Sequence, residues 1–529
     1  MKKICLVVLL FSAMLSAGAQ SRRDDPMTEA LMRTYQKLLD EDPRDPEVLF
    51  RRADEYYKLN DYVRALDDIN NAIKFGAETK DFDMRLARQL RANILMMLHK
   101  DEQALADLNY ELEADPMSYV ATYQRATALY NLERYAESKA DFRRMQQLNP
   151  RSQEALFGLA RVAVKENNLG TANEFCDQAV AITPSNSQVY LRRADVRTMM
   201  GSYQGAVEDY LMAISTDQEN TPKALQELVV LSRNNYPTVI SGLTSAIRQA
   251  PKSGVLYFMR AMIAQGHCNY LAAIADYDKI IDDRLDSYPG INASLAECYY
   301  ALGKYDTAQL NIDYAIGATH DNAFYYVLKS RIERALGNAD AALSAAEKAL
   351  EKNENYNDAL VAKALAELAL DESADASVAL SEAAMNAPED AYLALLRGWV
   401  LNDYRNQPAN AERCYERVLD MDYDFDNVHS LRGFALMRLD RADEGDRWME
   451  RVLETANDYD GEVNYYGACY YAQSGNKDRA FRCMEAALEK GYANYHNWTR
   501  NSDAGINVAP IREDARFNAL LEKYSRLFK

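Results

Sequence analysis

The chain has 529 residues, of which 48% are hydrophobic, 27% charged and only 13 are proline, so it carries enough apolar material for a packed core and is not a disordered or low-complexity protein. A formal net charge of −19 argues against a protein built on contacts to a nucleic-acid backbone. The basic pairs Arg22-Arg23, Arg51-Arg52 and Arg192-Arg193 are too isolated to make a stripe, so no nucleic-acid partner is expected.

In chain order, Lys2 and Lys3 precede an apolar run from Ile4 to Leu15, and Ala17-Gly18-Ala19 supplies small residues before Gln20, which is the pattern of a secretory signal peptide. The run is too short for an ordinary membrane-spanning helix. Residues 1–19 are expected to be cleaved off, leaving a periplasmic or secreted protein with no integral membrane segment. The mature chain then carries a charge of about −21 and every cysteine except Cys5. Residues 20–43 read as an N-terminal capping helix, with Leu31, Tyr35 and Leu38 on the face that covers the first full repeat unit.

From residue 44 a period of 34 residues takes over: Ala92, Ala126, Ala160 and Ala194 keep this spacing, and so do Pro116, Pro150 and Pro184. One complete instance is Ala160, Ala172, Cys176, Ala179 and Pro184, and another is Ala364, Ala376, Leu380, Ala383 and Pro388. A small residue inside a first helix lets a second helix approach closely, and the large apolar residue fills the space between them. Ala296, Tyr299, Tyr300 and Leu302, then Ala308, Ile312, Ala315 and Ile316, recur at three- and four-residue steps, which is helical periodicity. Gly201, Gly303, Gly337 and Gly475 each follow a small residue by seven places, where a helix end prefers a left-handed residue. Units of this length cannot bury their apolar face alone, so they stack into a solenoid. The layout is five units over 44–218, a degenerate unit over 219–252 around Glu227 and Pro237, seven units over 253–490 and a C-terminal cap over 491–529.

At these positions the chain resembles the tetratricopeptide repeat family, which has the same period and the same order of Ala, aromatic and Pro columns. The resemblance implies an all-α fold: a right-handed superhelical solenoid of about thirteen helix-turn-helix units with capping helices at both ends. Trp498, Ile511, Arg512, Asp514, Phe517, Leu520 and Leu521 resemble the closing segment that comes after the last repeat in bacterial members. It also implies that first helices line a concave groove, through positions three before, one after and four after each small residue. Those columns hold Phe50, Tyr57, Tyr123, Tyr130, Phe157 and Arg161, then Phe258, Met262, Tyr300, Arg331, Arg334, Trp399, Phe434 and Tyr465. Repeated rings suit a protein or peptide partner, because they bury much area at small entropic cost. Glycans or cell-wall fragments, or the subunits of an envelope complex, are the alternatives. Family members that hold acidic chaperone tails use a full set of Lys, Asn and Arg; here only Asn93 with Gln89 and Arg161 with Lys165 are present, so that clamp is absent.

Chemistry is scarce. His99, His267, His320, His429 and His496 fall in different units without metal-ligand spacing, and no nucleophile elbow, zincin helix or phosphate-binding glycine loop occurs. A non-enzymatic scaffold without cofactor or metal is the expectation. Glu137, Asp141 and Glu347 are read as solvent-facing carboxylates, and Cys176, Cys268, Cys298, Cys414, Cys469 and Cys483 as packed thiols outside any disulfide framework.

Overall fold

A helix with one apolar stripe must bury it against a neighbour, and the smallest residue on the stripe sets how close that neighbour comes. In the computed structural model, Ala53, Ala92, Ala126, Ala194, Ala261, Ala296, Ala364 and Ala468 are fully buried in the first helices of successive pairs. The structure describes residues 26–217, 219, 221–285, 288, 290–421, 426–500 and 505–529. The expected signal peptide therefore lies outside the described residues.

The chain divides into two bodies, Met1–Gly242 and Leu243–Lys529. In the first, helix Pro26–Glu41 precedes the pairs Pro46–Lys58 with Tyr62–Gly76, Met84–Met97 with Asp101–Ala114, Tyr119–Asn131 with Tyr135–Leu148, Gln153–Lys165 with Leu169–Ile182, and Ser187–Met199 with Tyr203–Thr216. In the second, the pairs are Gly254–Gly266 with Tyr270–Asp282, Ile291–Ala301 with Tyr305–Ala318, Ala323–Leu336 with Ala339–Lys352, Asn357–Ala369 with Ser373–Asn386, Ala391–Asp403 with Pro408–Asp420, Asp426–Arg438 with Ala442–Thr455, and Glu462–Gln473 with Lys477–Glu489. Each helix packs on its partner and on the next pair, so each body is an all-helical solenoid, and no strand occurs among the described residues. Where the small position is Gly398 rather than Ala, a β-carbon would come within 2.4 Å of the Tyr415 ring. Smallness in this column is therefore geometric.

The apolar stripe expected of the N-terminal cap is corrected. The N-terminal helix buries Leu39 at 6% exposure in one cluster with Leu49 and Ala53, and Met32 and Tyr35 are half-buried, whereas Leu31 and Leu38 are exposed. The degenerate unit is two helices within Thr221–Gln249 that meet at a kink, where Asn235 is non-helical (φ −136°, ψ 35°) two residues before Pro237. The proline ring removes a donor and crowds the preceding turn, which accounts for the kink. The boundary between the bodies falls within this stretch.

Five of the pairs are tied by a ladder that the sequence reading missed. The residue just before the small position is Arg52, Arg91, Arg125, Arg193 or Arg260, and each guanidinium forks onto the aspartate 16 residues later: Asp68, Asp107, Asp141, Asp209 and Asp276, at 2.6 to 2.9 Å. The remaining nitrogen of four of them reaches 16 residues back, to Gln36, Asn109, Asp177 and Thr244. One arginine thus joins a helix to its partner and to the second helix of the preceding unit. The five aspartates are buried, so Asp141 is not the solvent-facing carboxylate expected of it. Glu137 and Glu347 are exposed. Losing one member of a buried pair costs about 3 kcal/mol or more, since the other charge stays behind unpaired.

The six described cysteines are buried and form no disulfide. Burial pushes the thiols of Cys176, Cys469 and Cys483 up to about 12.

The turn seven residues after the small position is left-handed even without glycine: φ is 59° at Asn60, 55° at His99, 59° at Glu133 and 57° at Asn167, beside 73° at Gly201. A β-carbon makes that conformation unfavourable. Glu133→Gly is expected to stabilise the chain by about 0.5 to 1 kcal/mol in denaturant unfolding. Unchanged or lower stability would count against strain at this column.

Candidate functional site

The ring columns behave differently in the two bodies. In the first, Tyr123 on helix Tyr119–Asn131 is 39% exposed, and Phe50, Tyr57, Tyr130 and Phe157 are half-buried. Their undersides rest on neighbouring rings: Phe50 meets Phe82 edge-on at 6.5 Å, Tyr57 meets Tyr62 at 5.7 Å, and Tyr123 meets Phe142 at 6.4 Å. Exposed Arg161 lies over Tyr130 at 4.2 Å, and exposed Arg192 lies over Phe157 at 4.9 Å. A guanidinium on a ring face is attracted by the ring quadrupole and is held rigid for further contacts. Arg192 was missed as a surface contact; its signal was its place two residues before Ala194. Asn93 accepts a hydrogen bond from Gln124 of the next unit, so it serves the joint between units.

In the second body most of the predicted contacts are already engaged. Phe258 is buried and stacks on Tyr288 at 4.7 Å, and Phe434 is buried against Tyr470. Tyr465 is 2% exposed between Tyr492 at 5.0 Å and Trp498 at 5.1 Å. These three are corrected from groove contacts to core. Their position in the column holds, but rings of the same chain cover it: Tyr277 and Tyr288 at Phe258, Tyr470 at Phe434, and Tyr492 and Trp498 of the C-terminal segment at Tyr465. The same segment reaches Tyr300, whose hydroxyl hydrogen-bonds His496 Nε2 at 2.9 Å, while Tyr305 bonds Nδ1 at 2.8 Å. Gly505 lies so near Trp399 that a β-carbon there would be 3.2 Å from the indole Nε1, and the gap shared by Trp399, Phe434, Gln473 and Gly505 is only about 10 Å³. That is about the room of a single water. Arg331 and Arg334 line a cavity of about 350 Å³ with Tyr300, His496, Arg500 and Arg512. Met262 is half-buried.

The first body therefore holds the accessible ring face, and in the second residues 491–529 pack on Tyr300, Trp399 and Tyr465. The sequence signal for this was the aromatic run Tyr492, Tyr495, His496 and Trp498 directly after the last repeat. Among the described residues no group of three or more His, Cys, Asp or Glu could hold a metal ion, and no helix is long and apolar enough to cross a membrane.

Residues 123–187 match the family model of the tetratricopeptide repeat. Over these residues the chain is similar to the tetratricopeptide repeat. It is 28% identical over 195 residues to a DnaJ homolog subfamily C member 7 homolog of Dictyostelium discoideum, covering 37% of this chain and 31% of the relative. It is 20% identical over 224 residues to the Hsp70-Hsp90 organizing protein of Triticum aestivum, covering 36% and 39%. The chain thus spans about a third of the length of these relatives. Among solved structures it is similar to yeast Tom70 (15% identity, TM-score 0.36, covering 78% of this chain and 99% of that one). A tetratricopeptide repeat protein from Parabacteroides merdae is also similar (17% identity, TM-score 0.29, covering 62% and 99%).

If the repeats divide their rings between surface and core in this way, the two classes separate on truncation. Phe434→Ala is expected to cost about 3 to 5 kcal/mol of stability, as for a buried ring, and Tyr123→Ala about 0.5 kcal/mol or less. Urea unfolding of both variants checks this, and equal losses would contradict it.

Proposed function

We propose that this chain is an exported, non-enzymatic scaffold that grips a protein segment on the ring and arginine face of the body Met1–Gly242. The observation that carries the reading is the row Tyr123, Tyr130–Arg161 and Phe157–Arg192, in which rings backed by packed neighbours reach solvent on consecutive units. Tetratricopeptide repeats are a protein-binding architecture, and rings with guanidinium groups are the side chains that dominate binding energy at such faces. Arg161 and Arg192 cover the ring faces that a sugar would need bare, so a peptide with apolar and acidic side chains fits better than a glycan. The chaperone partners that the wheat relative's name gives belong to that protein; the clamp set is incomplete here, and its Asn93 is taken up between units. Export rests on Lys2, Lys3, the apolar run and Ala17-Gly18-Ala19.

The test is capture of the partner by crosslinking in the native cells, followed by titration of that partner against wild type, Tyr123→Ala and Arg161→Ala. At least one variant is expected to lose about 2 kcal/mol of affinity with helical content unchanged. Equal affinity for all three proteins contradicts the assignment of the face. Mass spectrometry of the protein recovered from those cells should give a mature chain beginning at Gln20, and a chain that retains Met1 contradicts cleavage.

A further inference from the structure

Among the described residues of the second body only Arg260 keeps the arginine–aspartate pair, and the repeat at Gly398 departs from it in an informative way. Arg397 stands just before the small residue Gly398, in ladder register, yet 16 residues later the chain has Arg413 in place of an aspartate. The position 16 residues earlier is Ser381. Arg397 on helix Ala391–Asp403 and Arg413 and Arg417 on helix Pro408–Asp420 line one cavity of about 460 Å³, with Asp390, Ser381 and Asn410 also on its wall. The Nε of Arg397 is shielded from solvent and has no hydrogen-bond partner among the described residues. None of the three guanidinium groups is in an ion pair among the described residues.

The fold thus brings Arg397 to a place where its counterpart in five other repeats meets a buried carboxylate, and there the chain supplies two more cations. We infer that this cavity is a binding site for an oxyanion of the phosphate class, which takes the place of the missing ladder carboxylate. Three guanidinium groups against the single carboxylate of Asp390 leave a balance that a phosphate near its dianionic form matches. Its oxygens can accept from several forks at once, whereas a carboxylate offers one charge and two oxygens. The hydroxyl of Ser381 and the amide of Asn410 add polar groups on the wall. The volume lies in the range of small-ligand pockets and leaves room for the organic part of an ester. This cavity is independent of the proposed partner face, which lies in the other body.

The test is isothermal titration of the full mature protein with inorganic phosphate, phenyl phosphate and acetate at one ionic strength held by chloride. Wild type is expected to bind phosphate, and Arg413→Asp to bind it at least about tenfold more weakly, since a charge-assisted contact is lost and a like charge is introduced. Because Arg413→Asp rebuilds the ladder pair with Arg397, it should also unfold at a higher temperature than wild type in phosphate-free buffer. Arg413→Gln removes the cation without rebuilding the pair, and should lose binding without that gain. Binding of inorganic phosphate alone assigns the free ion, and binding of phenyl phosphate as well assigns an ester; either supports the site. Absence of phosphate binding to wild type, equal binding by all three proteins, or acetate binding as tight as phosphate overturns it.

Discussion

The structure depends on close approach at one column: a small residue, alanine, glycine or serine, in the middle of the first helix of each pair. Because Ala92, Ala126, Ala194 and Ala364 have no exposed surface, the second helix of each pair sits against the backbone of the first, and large residues such as Phe142, Cys176 and Leu380 fill the remaining space. That approach also sets where the neighbouring residue points. In five of the units the residue one position earlier is an arginine that reaches the aspartate on its partner helix, and at Arg125 it also reaches a polar group on the unit before. The ladder therefore arises from the packing and locks it, since a fork between fixed helices has one geometry.

Much of this was legible in the sequence, for a physical reason. A solenoid repeats its constraints at a constant spacing, so a steric requirement appears as a column, and both the small residues and the left-handed turn are steric. The turn column could be read only where evolution used glycine, at Gly201 or Gly303, although Asn60, Glu133 and Asp371 adopt the same conformation. The ladder was harder to see, because Arg125 and Asp141 are each ordinary surface residues when taken alone. Only their separation of 16, held by two packed helices, marks them as partners. The repeat at Gly398, where that separation links two arginines, becomes visible as an exception only after the rule is known.

The ring columns were legible in position but not in exposure. The spacing that lines a groove is local, whereas the material that fills the groove is not: Tyr300 and His496 are 196 residues apart. Trp399, Phe434 and Tyr465 have the side chains of a binding surface, and the chain uses them to dock its own aromatic tail. The same chemistry serves both purposes, which is why ring content alone does not separate a partner site from an intramolecular one. What separates them is cover, and in the first body Tyr123, Arg161 and Arg192 are exposed.

This division of labour is tested most directly by placing a photo-crosslinking phenylalanine derivative at Tyr123 in one protein and at Tyr300 in another, and irradiating both in the native cells. The account predicts that the probe at Tyr123 attaches to a different protein, and that the probe at Tyr300 attaches to residues 491–529 of its own chain. Capture of a partner from Tyr300 with none from Tyr123 would contradict it.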